Sequence, residues 1–340
     1  MKKICISVLS TQYRALFIAC LSILTAISAQ AEIKSAGEIP SGAQKAYVGV
    51  FLMNVYDMDY AANSFYADFY LWMKWKGDID PMADMEFANY VEKWGFTREL
   101  LNDTLIVLSD GYKYNIMRVE GRFYYPFKLD RYPLDTQALK IQIENSMYNT
   151  NDLVYLQDTS KSGISNVLKI PGWDIEGLSA DENVNEYATN FGDPDVPVNE
   201  PYSNLTFKLH ISRPMSFFLW KLLLPLLVVM ISSLGTMLIY PEFIDARISL
   251  PIGALLSAVF LQQSYTSSLP DVGYMILMDK IYVLCYVLII SGLIESIITA
   301  NWASSEEEDD IKRVRRFDFR YIAIAFTILI GGAITIVLTA

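Results

Sequence analysis

Asp245, Ser249, Gly253, Leu256, Phe260, Gln263 and Ser267 recur every three or four residues through one largely apolar stretch. On a helix turning about 100° per residue they fall on one stripe less than about a quarter-turn wide. Arg247 lies about 200° from Asp245, on the far side. An Asp, a Ser and a Gln on one line are costly against lipid, but suit the wall of a water-filled path. From Asp245 to Ser267 the stripe would run about 33 Å, close to the thickness of a bilayer core. It opens on a carboxylate and Ser249, turns bulky and apolar at Leu256 and Phe260, and becomes polar again at Gln263 and Ser267. Rings of charge select ions, and apolar constrictions gate by losing their water. One helix encloses nothing, so this chemistry requires several copies around an axis. The competing reading is a packed bundle helix whose polar residues bond to neighbouring helices. Pro251 removes one backbone hydrogen bond, so the helix either kinks there or begins there.

The elements around this stretch must place it in a membrane. The 340 residues are 53% hydrophobic yet carry a net charge of −11, which suggests a membrane part joined to an acidic soluble part. The acidity argues against nucleic-acid binding. Residues 1–31 read as a signal peptide, with Lys2 and Lys3 ahead of a short apolar run and Ala29-Gln30-Ala31 as the cleavage site. Cys5 and Cys20 leave with it, and Cys285 falls in a hydrophobic segment as a packing residue. The exported part would then contain no disulfide, although its compartment permits them. A single histidine, His210, and no Cys/His cluster argue against zinc chemistry and a Ser-His-Asp hydrolase. No cofactor is expected.

Residues 45–211 alternate short β-rich runs with Gly, Asn, Asp and Pro breaks, the pattern of a β-sandwich. Strands are predicted at 46–56, 64–75, 104–108, 112–127, 138–145, 153–156, 172–178 and 205–211. Residues 82–101 are ambiguous, with a short helix as one reading. Residues 179–203 are acidic, hold three prolines and read as a long exposed loop. Their spacing matches no EF-hand, so the metal question stays open. At Arg213-Pro214 the composition switches. Four apolar spans are predicted at about 215–240, 245–267, 275–300 and 318–340, with a charged linker at 303–317. Lys312, Arg313, Arg315, Arg316 and Arg320 belong in the cytoplasm. An exported N-terminus followed by four crossings puts them there, which places residues 32–213 in the periplasm and residues 214–340 in the inner membrane.

The segment Tyr125 to Gln137, YPFKLDRYPLDTQ, resembles the signature loop of the pentameric ligand-gated ion channels, the Cys-loop receptor superfamily, without its two cysteines. Gly172-Trp173-Asp174-Ile175, Arg213-Pro214 and Leu269-Pro270 follow in the family's order. The resemblance implies an extracellular immunoglobulin-like sandwich, a four-helix transmembrane bundle, and five identical subunits around a central pore embedded in lipid. It places Asp245 at the charged inner ring and Leu256 at the central leucine. Pro251 departs from the pattern. It implies an agonist site between neighbouring sandwiches, to which Tyr70, Trp94, Tyr148, Tyr187, Phe191 and Tyr202 would contribute aromatic faces. Ordinary packing is the competing reading for each. Ser146 stands where amine receptors carry a tryptophan. Arg213 would meet Asp59 and Asp135 at the domain junction, beside Pro270, and couple binding to the pore.

The leading expectation is therefore a ligand-gated channel passing monovalent cations, opened by a small molecule, a proton or a divalent ion. A membrane-anchored receptor that binds without conducting is the alternative. No clustered catalytic set supports an enzyme.

Overall fold

The computed structural model describes residues 42–339 other than 93, 160–161, 195–196 and 304–307. The signal-peptide segment lies outside the described residues. Two sheets form the N-terminal part. The first runs β4-β6-β2-β1-β8, with β5 on β6 and β9 on β1. Its strands are β1 (Gln44–Asp59), β2 (Ser64–Trp75), β4 (Thr97–Leu100), β5 (Ile106–Val107), β6 (Lys113–Tyr124), β8 (Leu153–Gln157) and β9 (Gly163–Ile164). The second runs β10-β11-β7-β3. It holds β3 (Met85–Phe87), β7 (Thr136–Asn145), β10 (Asp174–Glu186) and β11 (Pro201–Ser212).

Alternation explains why the sheets meet. On β2, Phe65, Phe69, Leu71, Met73 and Trp75 are buried while Tyr66, Tyr70 and Lys74 stay partly exposed. Phe69 meets Phe87 of the other sheet edge-on, with ring centroids 5.9 Å apart, and Phe87 meets Phe123 at 5.7 Å. Each such fully buried aromatic contributes about 1.5–3 kcal/mol.

Two elements differ from the expected ones. Residues 82–101 hold strands β3 and β4 in place of a helix. Met85 and Phe87 alternate inward and pair with Asn145 and Ile143, so sheet pairing overrides local preference. The acidic segment 179–203 is mostly hairpin: β10 and β11 pair from Asp174↔Ser212 to Glu186↔Pro201, leaving only 187–200 as loop. Its charges are partly used. Asp181 pairs with Lys208, and Glu182 accepts the Gln157 N–H at 2.8 Å.

Four helices follow that are long and apolar enough to cross a membrane. Helix α1 (Phe217–Leu238) opens with a π-helical stretch, Phe217–Leu223, directly ahead of Pro225, whose missing N–H leaves the ladder short of a donor. Helix α2 is Ile244–Thr266 and α3 is Leu277–Ala303. Helix α4 is Glu308–Thr339. The expected linker 303–317 is therefore largely the first turns of α4, because Val314 and Asp318 are buried and continue its packed face inward. Helix α2 runs unbroken through Pro251, which lies on its buried side. Cys285 is buried.

Candidate functional site

The stripe on α2 faces away from the subunit. Arg247, Pro251, Ala254, Ala258 and Tyr265 form the buried face. Asp245, Ser249, Gly253, Leu256, Phe260 and Gln263 are all exposed, as is Ser267 at the helix's C-terminal cap. Asp245 stands in the first turn, where the helix dipole favours a carboxylate. This exposed row runs from Asp through Leu and Phe to Gln on a helix of membrane-spanning length and is turned away from the subunit's own core.

The domain junction is built around Arg213, the residue after β11. Its Nε donates to Asp135 Oδ1 at 2.7 Å, and its Nη2 donates to the Tyr60 hydroxyl at 2.7 Å. Asp135 is only 2% exposed and also accepts from Gln137 Nε2 at 2.8 Å. The guanidinium lies 4.3 Å from the Trp173 ring centre and 4.9 Å from that of Tyr132. Asp59 is not part of this group. It accepts the Ala62 N–H at 2.9 Å and caps its own hairpin turn, and the next residue, Tyr60, reaches Arg213 instead. The reason is local: Asp59 ends β1 and its carboxylate is used by the turn, while Tyr60, in the turn itself, reaches the arginine. Pro270 follows α2 and is half-buried.

From Arg213 a line of rings enters the membrane part. Tyr132, in the signature loop beside a cis Tyr132-Pro133 bond, stacks on Tyr265 of α2 at 6.3 Å. Tyr265 stacks on Tyr282 of α3 at 5.5 Å, and Tyr282 meets Tyr286 at 6.1 Å. The Tyr265 hydroxyl donates to Asp279, which also accepts from Gln262 Nε2 at 3.2 Å. The Leu277 N–H that begins α3 donates to the carbonyl of Asp130 at 2.9 Å. The loop is thus bonded to one helix and stacked on another. Burial raises the pKa of the Tyr132 phenol, although the Arg213 charge opposes the shift.

At the tip of the second sheet, three of the six aromatic candidates come together. Tyr187 meets Phe191 at 5.6 Å and Tyr202 at 6.0 Å. The sequence reading missed the residue beneath them, Glu144. It lies on the outward phase of β7, where Thr136, Ala138 and Gln142 also point, yet is only 2% exposed. Tyr187 Oη donates to its Oε2 at 2.6 Å, Asn204 Nδ2 donates to its Oε1 at 2.8 Å, and Asn185 Nδ2 donates to the same oxygen. Burial, reinforced by the Glu144 carboxylate, pushes the Tyr187 phenol up to about 12. Burial and the neighbouring Glu144 also raise the Glu86 carboxyl. Tyr70 and Trp94 lie elsewhere, Tyr70 near the Arg118 guanidinium and Trp94 97% exposed. Tyr148 is half-buried and packs against the core. A carboxylate out of phase with the apolar side of a signature strand is the signal that could have found Glu144.

Among the described residues no group of three or more His, Cys, Asp or Glu is arranged to hold a metal ion.

No family model matches the chain. Over 189 residues, 55% of its length, it is 25% identical to a gamma-aminobutyric acid receptor subunit beta-like protein of Drosophila melanogaster, covering 36% of that protein. Over 169 residues, 49% of its length, it is 25% identical to a gamma-aminobutyric acid receptor subunit beta of Lymnaea stagnalis, covering 32% of it. Over 266 residues, 73% of its length, it is 23% identical to a proton-gated ion channel of Gloeobacter violaceus, covering 70% of that protein. The chain thus spans about a third of the length of the two receptor subunits.

Proposed function

Because this chain belongs with the pentameric ligand-gated channels of the Cys-loop superfamily, we propose that it assembles as a homopentamer and conducts monovalent cations when a stimulus acts on its sandwich domain. The observation that carries the cation reading is Asp245, exposed in the first turn of a membrane-length helix on the same face as Ser249, Gly253, Leu256, Phe260, Gln263 and Ser267. Five such carboxylates around one axis attract cations and repel anions. Leu256 and Phe260 would supply the constriction. The sandwich faces the periplasm and the basic start of α4 the cytoplasm, in keeping with the charge rule.

Agonist binding is assigned to the Tyr187 loop. Tyr187, Phe191 and Tyr202 offer ring faces over a buried carboxylate, Glu144, a combination that suits a small organic cation. Tyr70, Trp94 and Tyr148 would contribute from the flanking strand and loops. Tyr70 would do so from the neighbouring subunit. Binding would reach the pore through Arg213, Asp135 and the ring line from Tyr132 to Tyr265, with Pro270 at the same level.

The test is the reversal potential of purified protein in a planar bilayer under a salt gradient. Wild type is expected to prefer cations, Asp245→Ala to weaken that preference, and Asp245→Arg to abolish or invert it. An anion-selective wild type removes Asp245 from the conduction path. A folded pentamer that binds but passes no current under any stimulus supports a non-conducting receptor instead.

A further inference from the structure

Near the inner ends of the helices, three charged side chains from three helices meet out of contact with water. Arg247 of α2 is 0% exposed, Asp318 of α4 is 1% and Glu295 of α3 is 4%. Both carboxylates address the same guanidinium nitrogen: Nη2 lies 2.9 Å from Asp318 Oδ1 and 3.7 Å from Glu295 Oε2. Only the first distance is a hydrogen bond. Among the described residues, Arg247 Nε and Nη1, both Glu295 oxygens and Asp318 Oδ2 are buried without a hydrogen-bond partner.

The charges do not balance. The cluster holds one cation and two carboxyl groups, and among the described residues its ion pairs are Arg247–Asp318 and Arg247–Glu295. The end of α1 contributes the Met237 thioether, 3.5 Å from Nη2. Helix α3 contributes the Ser296 hydroxyl, directed at the same sulfur, and Thr299, whose hydroxyl is bonded to the Glu295 and Ser296 carbonyls. The nearby Arg315 is turned outward to the Tyr240 hydroxyl at 3.0 Å. An uncompensated carboxylate in so dry a site is costly, and two carboxylates sharing one site do not both ionise readily. Asp318 makes the direct bond to Arg247, so Asp318 is the member that stays ionised.

We propose that Glu295, Arg247 and Asp318 form a proton-binding site in which Glu295 is held as the neutral acid, and that this site fastens the inner end of α2 to α3 and α4. The assignment fits the geometry. A neutral acid tolerates the longer 3.7 Å separation, and its hydroxyl gives the group a donor for the unpartnered Asp318 oxygen. With the proton in place the three side chains sum to zero. Without it the site carries one buried negative charge.

The experiment uses the full-length protein in detergent and does not depend on conduction. Infrared spectroscopy at neutral pH reads the carbonyl stretch of protonated carboxyl groups, and thermal melting with size-exclusion chromatography reads assembly. Wild type is expected to show a protonated-carboxyl band that is absent from Glu295→Gln. That variant should elute and melt as wild type does, because an amide replaces a neutral acid of the same shape. Asp318→Asn should also lose the band, since Glu295 then ionises as the only anion left for Arg247, and should melt lower. The double variant Glu295→Gln/Asp318→Asn leaves Arg247 alone and should fail to assemble. A wild type without the band, a band that survives in Glu295→Gln, or a Glu295→Gln protein that melts as low as Asp318→Asn overturns the assignment.

Discussion

Removing the Arg213 guanidinium perturbs a buried ion pair at the level where the sandwich passes into the first helix. In Arg213→Ala, Asp135 keeps only the Gln137 amide and its own position at 2% exposure, and Tyr60 loses its donor. Stranding one partner of a buried pair costs about 3–5 kcal/mol. The guanidinium also lies over Trp173 and Tyr132, contacts worth about 0.5–2 kcal/mol each. Arg213→Ala should therefore fail to assemble, or assemble with a large loss of thermal stability. Arg213→Lys should be intermediate, because one ammonium cannot serve Asp135 and Tyr60 together and does not stack as a planar fork does. A double-mutant cycle with Arg213→Gln and Asp135→Asn isolates the pair. The readouts are the melting temperature of the purified pentamer and the stimulus level for half-maximal current. The double variant should be better tolerated than the sum of the singles, with a coupling of about 1–3 kcal/mol. Additivity within about 0.5 kcal/mol in both readouts would show that the 2.7 Å contact carries no energy and that coupling runs elsewhere.

Other outcomes follow from the same geometry. Leu256→Ser should wet the apolar ring and raise resting current, read as leak before any stimulus; normal surface expression with unchanged leak removes Leu256 from the gate. Tyr187→Phe deletes one hydrogen bond to the buried Glu144 carboxylate, worth about 1.5–3 kcal/mol, and should shift the agonist response to higher concentration while leaving reversal potential unchanged. The Glu86 carboxyl is raised by burial and by Glu144, so the folded sandwich disfavours its ionised form. The destabilisation is absent below the unfolded value and grows as pH rises through the folded one. Glu86→Gln should therefore melt higher than wild type at neutral pH and equal to it in acid, and a constant difference across pH would refute the electrostatic cause.

Periodicity alone placed much of this protein. The period-two alternation of β2, the switch at Arg213-Pro214, four apolar runs and the polar line on α2 are local properties of the chain, and the corresponding elements lie close to where those patterns put them. Segment 82–101 is ambiguous in sequence because β3 becomes a strand only through its partners at Ile143–Asn145, and the acidic stretch 179–203 was misread because β10 and β11 hold each other in register. Only the tertiary structure decided which charges meet. Nothing local distinguishes Asp59 from Asp135, yet the turn consumes one and the signature loop carries the other to Arg213. Glu144 reads as a surface residue until Tyr187, Asn185 and Asn204 cover it. Arg247 faces away from the exposed stripe by helix geometry alone, but its partners lie 48 and 71 residues further along the chain. Hydrophobic patterning fixes which side of an element turns inward, because burial is additive along the chain. Pairing of buried charges depends on how separate elements pack against each other, and that information resides in the contacts, not in any one segment.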